Sequence, residues 1–136
     1  LCPAIRIEDA YKYLKVPETL PKHLSRYMMF GFETNQKLRD ELSGSLHRAD
    51  KTARAQVVDR RTYPAFHKII TQFKKITGRG VVLNTSFNLH GLPIVADFDD
   101  ALQVLRNSDL KYLMLENFLI TKKYKKAISG EYKSTH

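Results

Sequence analysis

Cysteine is almost absent from this 136-residue chain, in which Cys2 is the single example. One thiol cannot form an internal disulfide, which is compatible with a reducing compartment, and we predict a cytoplasmic protein. No apolar run approaches the length that spans a bilayer, and no signal peptide is visible. The sequence also lacks an internal repeat, a glycine-rich P-loop and a Cys/His cluster with metal-ligand spacing. These absences exclude membrane-spanning, disulfide-scaffold and P-loop classes, and no metal site is predicted.

Acidic residues are scarce relative to basic ones: 14 against 23, a net charge of +9. Such a balance favours anionic partners, namely a nucleotide, a phosphate ester, nucleic acid or an acidic neighbouring domain. A solvated basic tail at residues 123–136 is the competing explanation. The hydrophobic fraction of 43% and the charged fraction of 27% are typical of one globular domain with a real core. Because the first residue is Leu1 and not Met, we expect a fragment of a longer polypeptide.

Apolar spacing predicts one clear helix over residues 63–77, with Thr62 as its cap and Gly78 as its end. Its apolar residues are predicted to form a single stripe facing the core: Phe66, Ile69, Ile70, Phe73 and Ile76. Four residues off that stripe are predicted to be solvated: His67, Lys68, Lys74 and Lys75. The helix should pack on a short apolar strand at residues 81–83 that follows it.

Weaker patterns predict the remaining elements. Further helices are predicted at residues 8–14, 34–46 and 100–107, the last capped by Asp97 or Asp99. Further strands are predicted at residues 27–32, 52–58, 110–115 and 117–122. Tyr27 and Met28 are assigned to the core, and the last two strands are predicted to form a hairpin.

A polar loop follows the buried strand at residues 81–83 and is the predicted ligand site. Four hydrogen-bonding side chains occupy five positions there: Asn84, Thr85, Ser86 and Asn88. Hydroxyls and carboxamides are neutral donors that can reach an anionic oxygen, and open α/β sheets often bind ligands where strands end. The alternative is a turn in which these side chains satisfy only their own backbone. The local residues do not decide between the two.

Arg54 is the predicted cation of the site. It lies in an alternating stretch at residues 52–58, where Arg54 and Gln56 share one face. A guanidinium on a strand needs an anionic partner, and its planar fork suits phosphate or carboxylate. A salt bridge to Asp50 or Asp59, or plain exposure to solvent, is the alternative. His47 could assist Arg54, although a surface position is predicted for it, and His90 is predicted to be a bystander. Ser86 has no adjacent histidine and acid to activate it as a nucleophile.

Two motifs carry a family resemblance. The segment Asn-Thr-Ser-Phe-Asn at 84–88, followed by Gly91 and Pro-Ile-Val at 93–95, stands downstream of Thr-Ala-Arg-Ala-Gln at 52–56. In this order they resemble the C-terminal domain of the O-carbamoyltransferases that act on nodulation factors and antibiotics. The resemblance implies an α/β fold with a YrdC-like twisted open sheet flanked by helices. It implies one domain at residues 1–122.

The resemblance also implies an activity. Domains of this kind bind ATP, with Mg²⁺, and carbamoyl phosphate to form a carbamoyl-adenylate. A larger N-terminal domain, which holds the family's metal site, then transfers the carbamoyl group to a substrate hydroxyl. Arg54 and Ser86 would be the catalytic residues, and Arg54, Asn84, Thr85, Ser86 and Asn88 the substrate- and nucleotide-binding set. A further Lys and Arg of the site would lie upstream of Leu1. Lys51 replaces a glycine common in the family, so the loop before Arg54 is expected to differ in shape.

Two other functions fit parts of the sequence. A basic YrdC-like module could bind RNA or DNA, although its aromatic residues are not interleaved with its lysines as stacking platforms. A domain that only docks on its N-terminal partner is the third possibility. The transferase is favoured because it accounts for both motifs.

Overall fold

The computed structural model describes residues 1–18 and 24–123. Over these residues it is mixed α/β with three small sheets, which confirms the predicted class. The chain divides into two compact units, Leu1–Thr85 and Ser86–His136, and each is described by itself. Within the described ranges no helix has the length and apolar character needed to cross a membrane. The predicted tail lies outside the described residues from position 124 onward.

The elements of the described residues are short. The strands are β1 (Cys2–Arg6), β2 (Leu14–Lys15), β3 (Phe32–Thr34), β4 (Thr52–Ala53), β5 (Gln56–Val58), β6 (Val81–Asn84), β7 (Tyr112–Leu115) and β8 (Phe118–Thr121). The α-helices are α1 (Ala10–Tyr13), α2 (Pro64–Thr77) and α3 (Phe98–Asn107). Two 3-10 helices span Leu24–Tyr27 and Gln36–Ser45.

The central strand of the first sheet is β1, and the sheet order is β5-β1-β6. β1 runs parallel to β5 and antiparallel to β6. Pro3 has no N–H to donate, and it is tolerated because the ladder with β5 begins only at Ala4. The sequence pattern does not predict this strand, because Cys-Pro-Ala has no apolar alternation.

A second sheet, β2-β3-β4, is antiparallel and packs with the first around the main core. The buried residues of that core are Ile5, Tyr13, Leu14, Phe32, Leu42, Ala53, Ala55 and Val81. The predicted helix at residues 34–46 is confirmed as the 3-10 helix Gln36–Ser45, whose Leu42 enters this core. Its N-cap is Asn35, whose side chain accepts a hydrogen bond from the Lys37 N–H.

The predicted strand at residues 27–32 is wrong over most of its length. The 3-10 helix Leu24–Tyr27 is followed by Met28 at φ 56°, a left-handed conformation that interrupts extended backbone, and β3 begins only at Phe32. Tyr27 is 55% exposed and Met28 36% exposed, so neither belongs to the core as predicted. The apolar composition of this segment therefore misled the assignment.

Helix α2 confirms the predicted helix and its end. Pro64 occupies the first turn, and Gly78 ends the helix at φ 79°, with its N–H donating to the Lys74 carbonyl at 2.8 Å. Tyr63 is the N-cap residue and no side chain caps the start, so the predicted Thr62 cap is wrong. The helix packs on the first sheet through Ile70, as predicted.

The face that α2 turns to the sheet is not the predicted stripe. Ile70 is fully buried and Phe66 packs beside it, but Ile69 is 61% exposed, Phe73 37% and Ile76 85%. The apolar residues of α2 thus lie on two faces of the helix, and only one face meets the sheet.

Polar partners explain which face of α2 is buried. The His67 ring nitrogen Nε2 lies 2.9 Å from the Glu8 carboxylate, and Lys74 Nζ lies 2.5 Å from Asp9 Oδ1. His67 is only 7% exposed. The predictions that His67 and Lys74 are solvated are therefore wrong, because acidic residues that follow β1 give these side chains partners at the sheet.

The second unit consists of α3 and the antiparallel hairpin β7-β8, both as predicted. Asp97 caps α3 by accepting a hydrogen bond from the Asp100 N–H at 2.9 Å. Its small core contains Ala101, Leu105 and Leu113. Lys122 Nζ donates to the carbonyls of Arg106 and Ser108, which joins the end of the hairpin to the end of α3.

Candidate functional site

Arg54 lies where the chain passes from one sheet of the first unit to the other. In place of one strand at residues 52–58, β4 joins the second sheet and β5 joins the first, with Arg54 and Ala55 between them. Ala55 is fully buried, and the Arg54 side chain is exposed. The predicted alternation thus survives across the break, and it places the guanidinium on the surface.

Arg54 lines an open cleft of about 490 Å³ in the first unit. The other lining residues are Leu1, Gly31, Gly44, Ser45, Leu46, His47, Asp50 and Thr52. Arg54 and His47 are the basic side chains of this set, and Asp50 is its acid. The cleft therefore combines a cation with hydroxyl and imidazole groups, a set of donors that suits an anionic oxygen.

Of the alternatives to a ligand for Arg54, exposure to solvent is observed and the salt bridges to Asp50 and Asp59 are not formed. Asp50 accepts hydrogen bonds from the Thr52 N–H and hydroxyl, and Asp59 pairs with Arg26 and Arg61. Over residues 1–18 and 24–123, Arg54 has no ion pair. Its guanidinium is therefore available to a ligand.

The turn that precedes Arg54 fixes the geometry of the cleft wall. The His47 N–H donates to the Thr52 carbonyl at 2.8 Å, and the Lys51 N–H donates to the His47 carbonyl at 2.9 Å. Lys51 has φ 59°, the left-handed conformation that favours glycine. Lys51 thus adopts a backbone conformation that glycine would take without strain.

Asp50 is held ionised within this turn. The backbone and side-chain hydrogen bonds from Thr52 are the largest causes, and they hold the pKa of the Asp50 carboxyl below its ordinary value, with a smaller contribution from His47. A carboxylate that accepts several hydrogen bonds is a fixed acceptor. Asp50 therefore accepts hydrogen bonds from Thr52 and His47 at a fixed position.

Asn84, in the same unit, is half-buried at the end of β6. Its Nδ2 donates to Gln56 Oε1 at 3.0 Å, across the central strand β1. Asn84 is a predicted ligand residue, and this hydrogen bond uses one of its two side-chain N–H groups on Gln56. Thr85, the next predicted residue, is exposed.

Ser86 and Asn88 lie in the second unit and contact each other. The Ser86 hydroxyl donates to Asn88 Oδ1 at 2.7 Å, and Asn88 Nδ2 donates to the carbonyls of Leu89 and Leu92. Asn88 therefore satisfies the backbone of its own loop, as the turn alternative predicts. The Ser86 oxygen keeps the capacity to accept, and the exposed hydroxyl can rotate toward a ligand.

The predicted residues thus divide between the units. Arg54, Asn84 and Thr85 belong to the first, and Ser86 and Asn88 belong to the second. The prediction that Arg54 and Ser86 face one ligand stays a prediction. Within the described part of the chain, no group of three or more His, Cys, Asp or Glu side chains is placed to hold a metal ion.

His47 is exposed, as predicted, and it lines the same cleft as Arg54. Its Nδ1 lies 3.1 Å from Asp50 Oδ1. The available signal was the three-residue spacing of His47 and Asp50 directly before the Thr-Ala-Arg motif. His90 is exposed, and its role stays a prediction.

The mixed α/β units and the Arg54 cleft define a small domain with one surface suited to anions. Comparison with protein families then identifies it: the profile described as carbamoyltransferase C-terminus matches residues 1–122. The chain belongs to this family of carbamoyltransferase C-terminal domains.

Similar proteins are much longer than this chain. Nodulation protein NolO of Bradyrhizobium diazoefficiens is 34% identical over 124 residues, which cover 89% of this chain and 22% of NolO. Nodulation protein NolNO of Sinorhizobium fredii is 33% identical over 121 residues, covering 89% of this chain and 17% of NolNO. An uncharacterized protein of Methanocaldococcus jannaschii, MJ1058, is 33% identical over 122 residues, 90% of this chain and 19% of that protein. The chain thus spans about a fifth of the length of these relatives.

Proposed function

We propose that the protein containing this chain is a carbamoyltransferase, and that this region binds ATP and carbamoyl phosphate to form a carbamoyl-adenylate. Water would release inorganic phosphate from carbamoyl phosphate, and an oxygen of the resulting carbamate would displace pyrophosphate at the α-phosphorus of ATP. Family membership supports the transferase class. The observation that carries the finer proposal is Arg54, an exposed guanidinium that has no ion pair over the described residues and lines a cleft with hydroxyl donors. Phosphate is one of the two anions, with carboxylate, whose geometry matches the guanidinium fork.

In this proposal the chain acts by binding and charge stabilisation. Arg54 holds a phosphate group, while Ser86 and Asn88 bind phosphate or carbamoyl oxygens after giving up hydrogen bonds within their own loop. Asn84 and Thr85 shape the loop or contact the nucleotide. Holding two anionic reactants together removes most of the entropic cost of their encounter, and positive charge offsets the charge that develops on leaving pyrophosphate.

In the proposal Mg²⁺ accompanies ATP, and the acceptor and the family's metal site belong to another domain. Among the described residues there is no group of three or more His, Cys, Asp or Glu side chains that could hold a metal ion, and no step on this chain is assigned to Mg²⁺. A second, N-terminal domain of the same polypeptide would hold the family's metal site and transfer the carbamoyl group to a substrate hydroxyl. This chain covers 22% of NolO. The rest of a protein of that length is long enough to contain such a domain.

Calorimetric titration of the full-length protein with ATP and carbamoyl phosphate tests the proposal. We expect binding of both and release of pyrophosphate only when both are present. Pyrophosphate release without carbamoyl phosphate, or failure to bind ATP, contradicts it. Failure to bind ATP favours a domain that only docks on its partner. Tight RNA binding that falls steeply with salt and survives Ser86→Ala favours the nucleic-acid module instead.

A further inference from the structure

His47 and Asp50 form an exposed hydrogen-bonded pair on the wall of the Arg54 cleft. The imidazole Nδ1 lies 3.1 Å from Asp50 Oδ1, and the same oxygen accepts hydrogen bonds from the Thr52 N–H at 2.9 Å and the Thr52 hydroxyl at 2.8 Å. Thr52 therefore fixes the carboxylate, and the carboxylate in turn fixes the ring.

This geometry sets the tautomer of His47. An ionised carboxylate only accepts hydrogen bonds, so Nδ1 must carry the proton that it donates to Asp50. Nε2 is then the ring nitrogen left for a ligand. It accepts a hydrogen bond when the ring is neutral and donates one when the ring is protonated. Only the protonated ring attracts an anion.

The charges on the cleft wall make the protonation of His47 decisive. Arg54 contributes +1 and Asp50 −1, so these two side chains cancel while the imidazole is neutral. Protonation of His47 leaves a net positive wall. The other charged groups nearby are the exposed side chains of Arg48 and Lys51 in the same turn. None of these side chains changes charge between pH 5.5 and 8 as histidine does.

We propose that His47 is the second ligand of this cleft: its protonated imidazole joins Arg54 on a phosphoryl group, and Asp50 is the positioning residue that holds the ring. The proposal rests on the proposed function in taking the ligand to be a phosphoryl group. It goes further by assigning a role to His47 and by making anion binding dependent on pH. Imidazolium and guanidinium together suit a tetrahedral dianion.

Sulfate is the probe that tests the proposal, because it keeps its charge of −2 across the pH range whereas phosphate does not. Sulfate is titrated at pH 5.5 and pH 8, and binding is followed by the NMR signals of the Arg54 guanidinium and the His47 ring. We expect affinity to fall about tenfold between pH 5.5 and pH 8, the effect of one unit charge next to a dianion in a wet cleft. Inorganic phosphate, titrated in parallel, should bind to the same residues.

Matched variants test whether the pH dependence of sulfate binding comes from the His47 ring. His47→Gln should remove the pH dependence, whereas His90→Gln, at an exposed histidine of the other unit, should leave it unchanged. Asp50→Asn keeps the acceptor oxygen and removes the opposing charge, so sulfate should bind more tightly at pH 8. Asp50→Ala removes the acceptor, and the ¹⁵N shifts of the neutral His47 ring should move toward the Nε2–H tautomer. A thermal melt of each variant reports its folding.

Several outcomes overturn the proposal. These are a lack of sulfate-induced shifts at Arg54 and His47, an unchanged pH dependence in folded His47→Gln, or an unaltered tautomer in folded Asp50→Ala. The proposed carbamoyltransferase activity is judged separately by pyrophosphate release. Loss of the His47 effect with intact turnover rejects this inference alone, and sulfate binding without turnover rejects the proposed function alone.

Discussion

Lys74, on helix α2, places its ammonium 2.5 Å from Oδ1 of Asp9, whose side chain is almost fully buried. Arg6, at the end of β1, donates to the other carboxylate oxygen from Nε at 2.7 Å. One carboxylate thus joins the central strand to the helix that packs on it. A buried charge of this kind is tolerated only because both oxygens have cationic partners.

Asp9→Asn is expected to destabilise the first unit by about 3 kcal/mol at pH 7, because it leaves Arg6 and Lys74 without their counter-charge. Urea unfolding at pH 7 measures the loss. Asp40→Asn, at an exposed carboxylate of the 3-10 helix Gln36–Ser45, is the control and should change the free energy of unfolding by less than about 0.5 kcal/mol. Equal effects of the two changes would contradict a structural role for the Asp9 network.

The pH dependence of the unfolding free energy should show the contribution of the Asp9 carboxylate. Burial raises the pKa of Asp9, but hydrogen bonds from Lys74 and Arg6 outweigh it, and the net pKa lies below the ordinary value. The ionised form is therefore stabilised by folding. Its contribution is present above the unfolded pKa, about 3.9, and is lost as the pH falls below about 4 through the lower folded pKa. The difference in unfolding free energy between wild type and Asp9→Asn should shrink over that window.

Gly80→Ala is expected to destabilise the protein by about 2 kcal/mol. A Cβ at position 80 would overlap the Asp9 carboxylate, which Arg6 and Lys74 hold in place and which cannot move away cheaply. Gly44→Ala is the matched control, since its Cβ would meet only Leu83 Cδ2 at 3.7 Å, an ordinary contact. Thermal unfolding of the two variants measures the difference. A Gly80→Ala protein as stable as Gly44→Ala would show that the carboxylate can be displaced.

Lys51→Gly is expected to stabilise the protein by about 0.5–1 kcal/mol. Glycine relieves the left-handed strain at φ 59°, about 1–2 kcal/mol, and part of that gain is lost to the greater freedom of glycine in the unfolded chain. Lys51→Ala removes the same side chain but keeps the strain, so it should give no gain. Urea unfolding of both variants distinguishes backbone strain from an effect of the lysine charge.

Asn88→Asp is expected to loosen its loop while keeping the oxygen that accepts from Ser86. The change removes the two Nδ2 bonds to Leu89 and Leu92, each contributing about 1 kcal/mol. Amide hydrogen exchange should accelerate at Val95, whose N–H donates to the Phe87 carbonyl. Gln72→Ala, at an exposed carboxamide of the first unit, should leave that amide unchanged. Unaltered exchange in Asn88→Asp would argue against a structural role for this side chain.

Arg54→Ala and Ser86→Ala are each expected to abolish carbamoylation by the full-length protein while leaving its fold intact. Arg54→Lys keeps the charge but loses the fork, and it should lower kcat/KM at least about tenfold. Arg48→Ala, at an exposed arginine of the neighbouring turn, is the control and should retain activity. Assays of carbamoyl transfer, with circular dichroism of each variant, provide the measurement. Turnover retained in Arg54→Ala or Ser86→Ala removes that residue from the site.

Local patterns predicted the helices and the hairpin well, because α2, α3 and β7-β8 each carry strong periodicity and clear end signals such as Gly78 and Asp97. They did not predict β1, which is central because of its partners and not because of its own composition. They also did not identify the buried face of α2. Apolar residues occupy two faces of that helix, and the choice between them depends on Glu8 and Asp9, which pair with His67 and Lys74.

For the site, the sequence predicted Arg54 as the cation that binds the ligand, but it assigned one strand where two strands enter different sheets. It left open whether the polar loop satisfies itself, and the hydrogen bonds of Asn88 show that this residue does. The contact between His47 and Asp50 was not predicted. It depends on a turn in which Lys51 is left-handed, and the amino-acid composition does not indicate that conformation. The backbone conformation of Lys51 thus sets a contact that the residue pattern does not predict.

The buried Cys2 thiol has a practical consequence. Its sulfur contacts Met28 Sδ, and burial raises the pKa of the thiol despite the opposing effect of Arg54. Thiolate is the reactive form, so alkylating reagents should reach Cys2 only when the first strand opens. Because the chain has no other cysteine, the rate at which Cys2 is labelled reports how often the first strand opens. A ligand that tightens the neighbouring Arg54 cleft should lower this labelling rate.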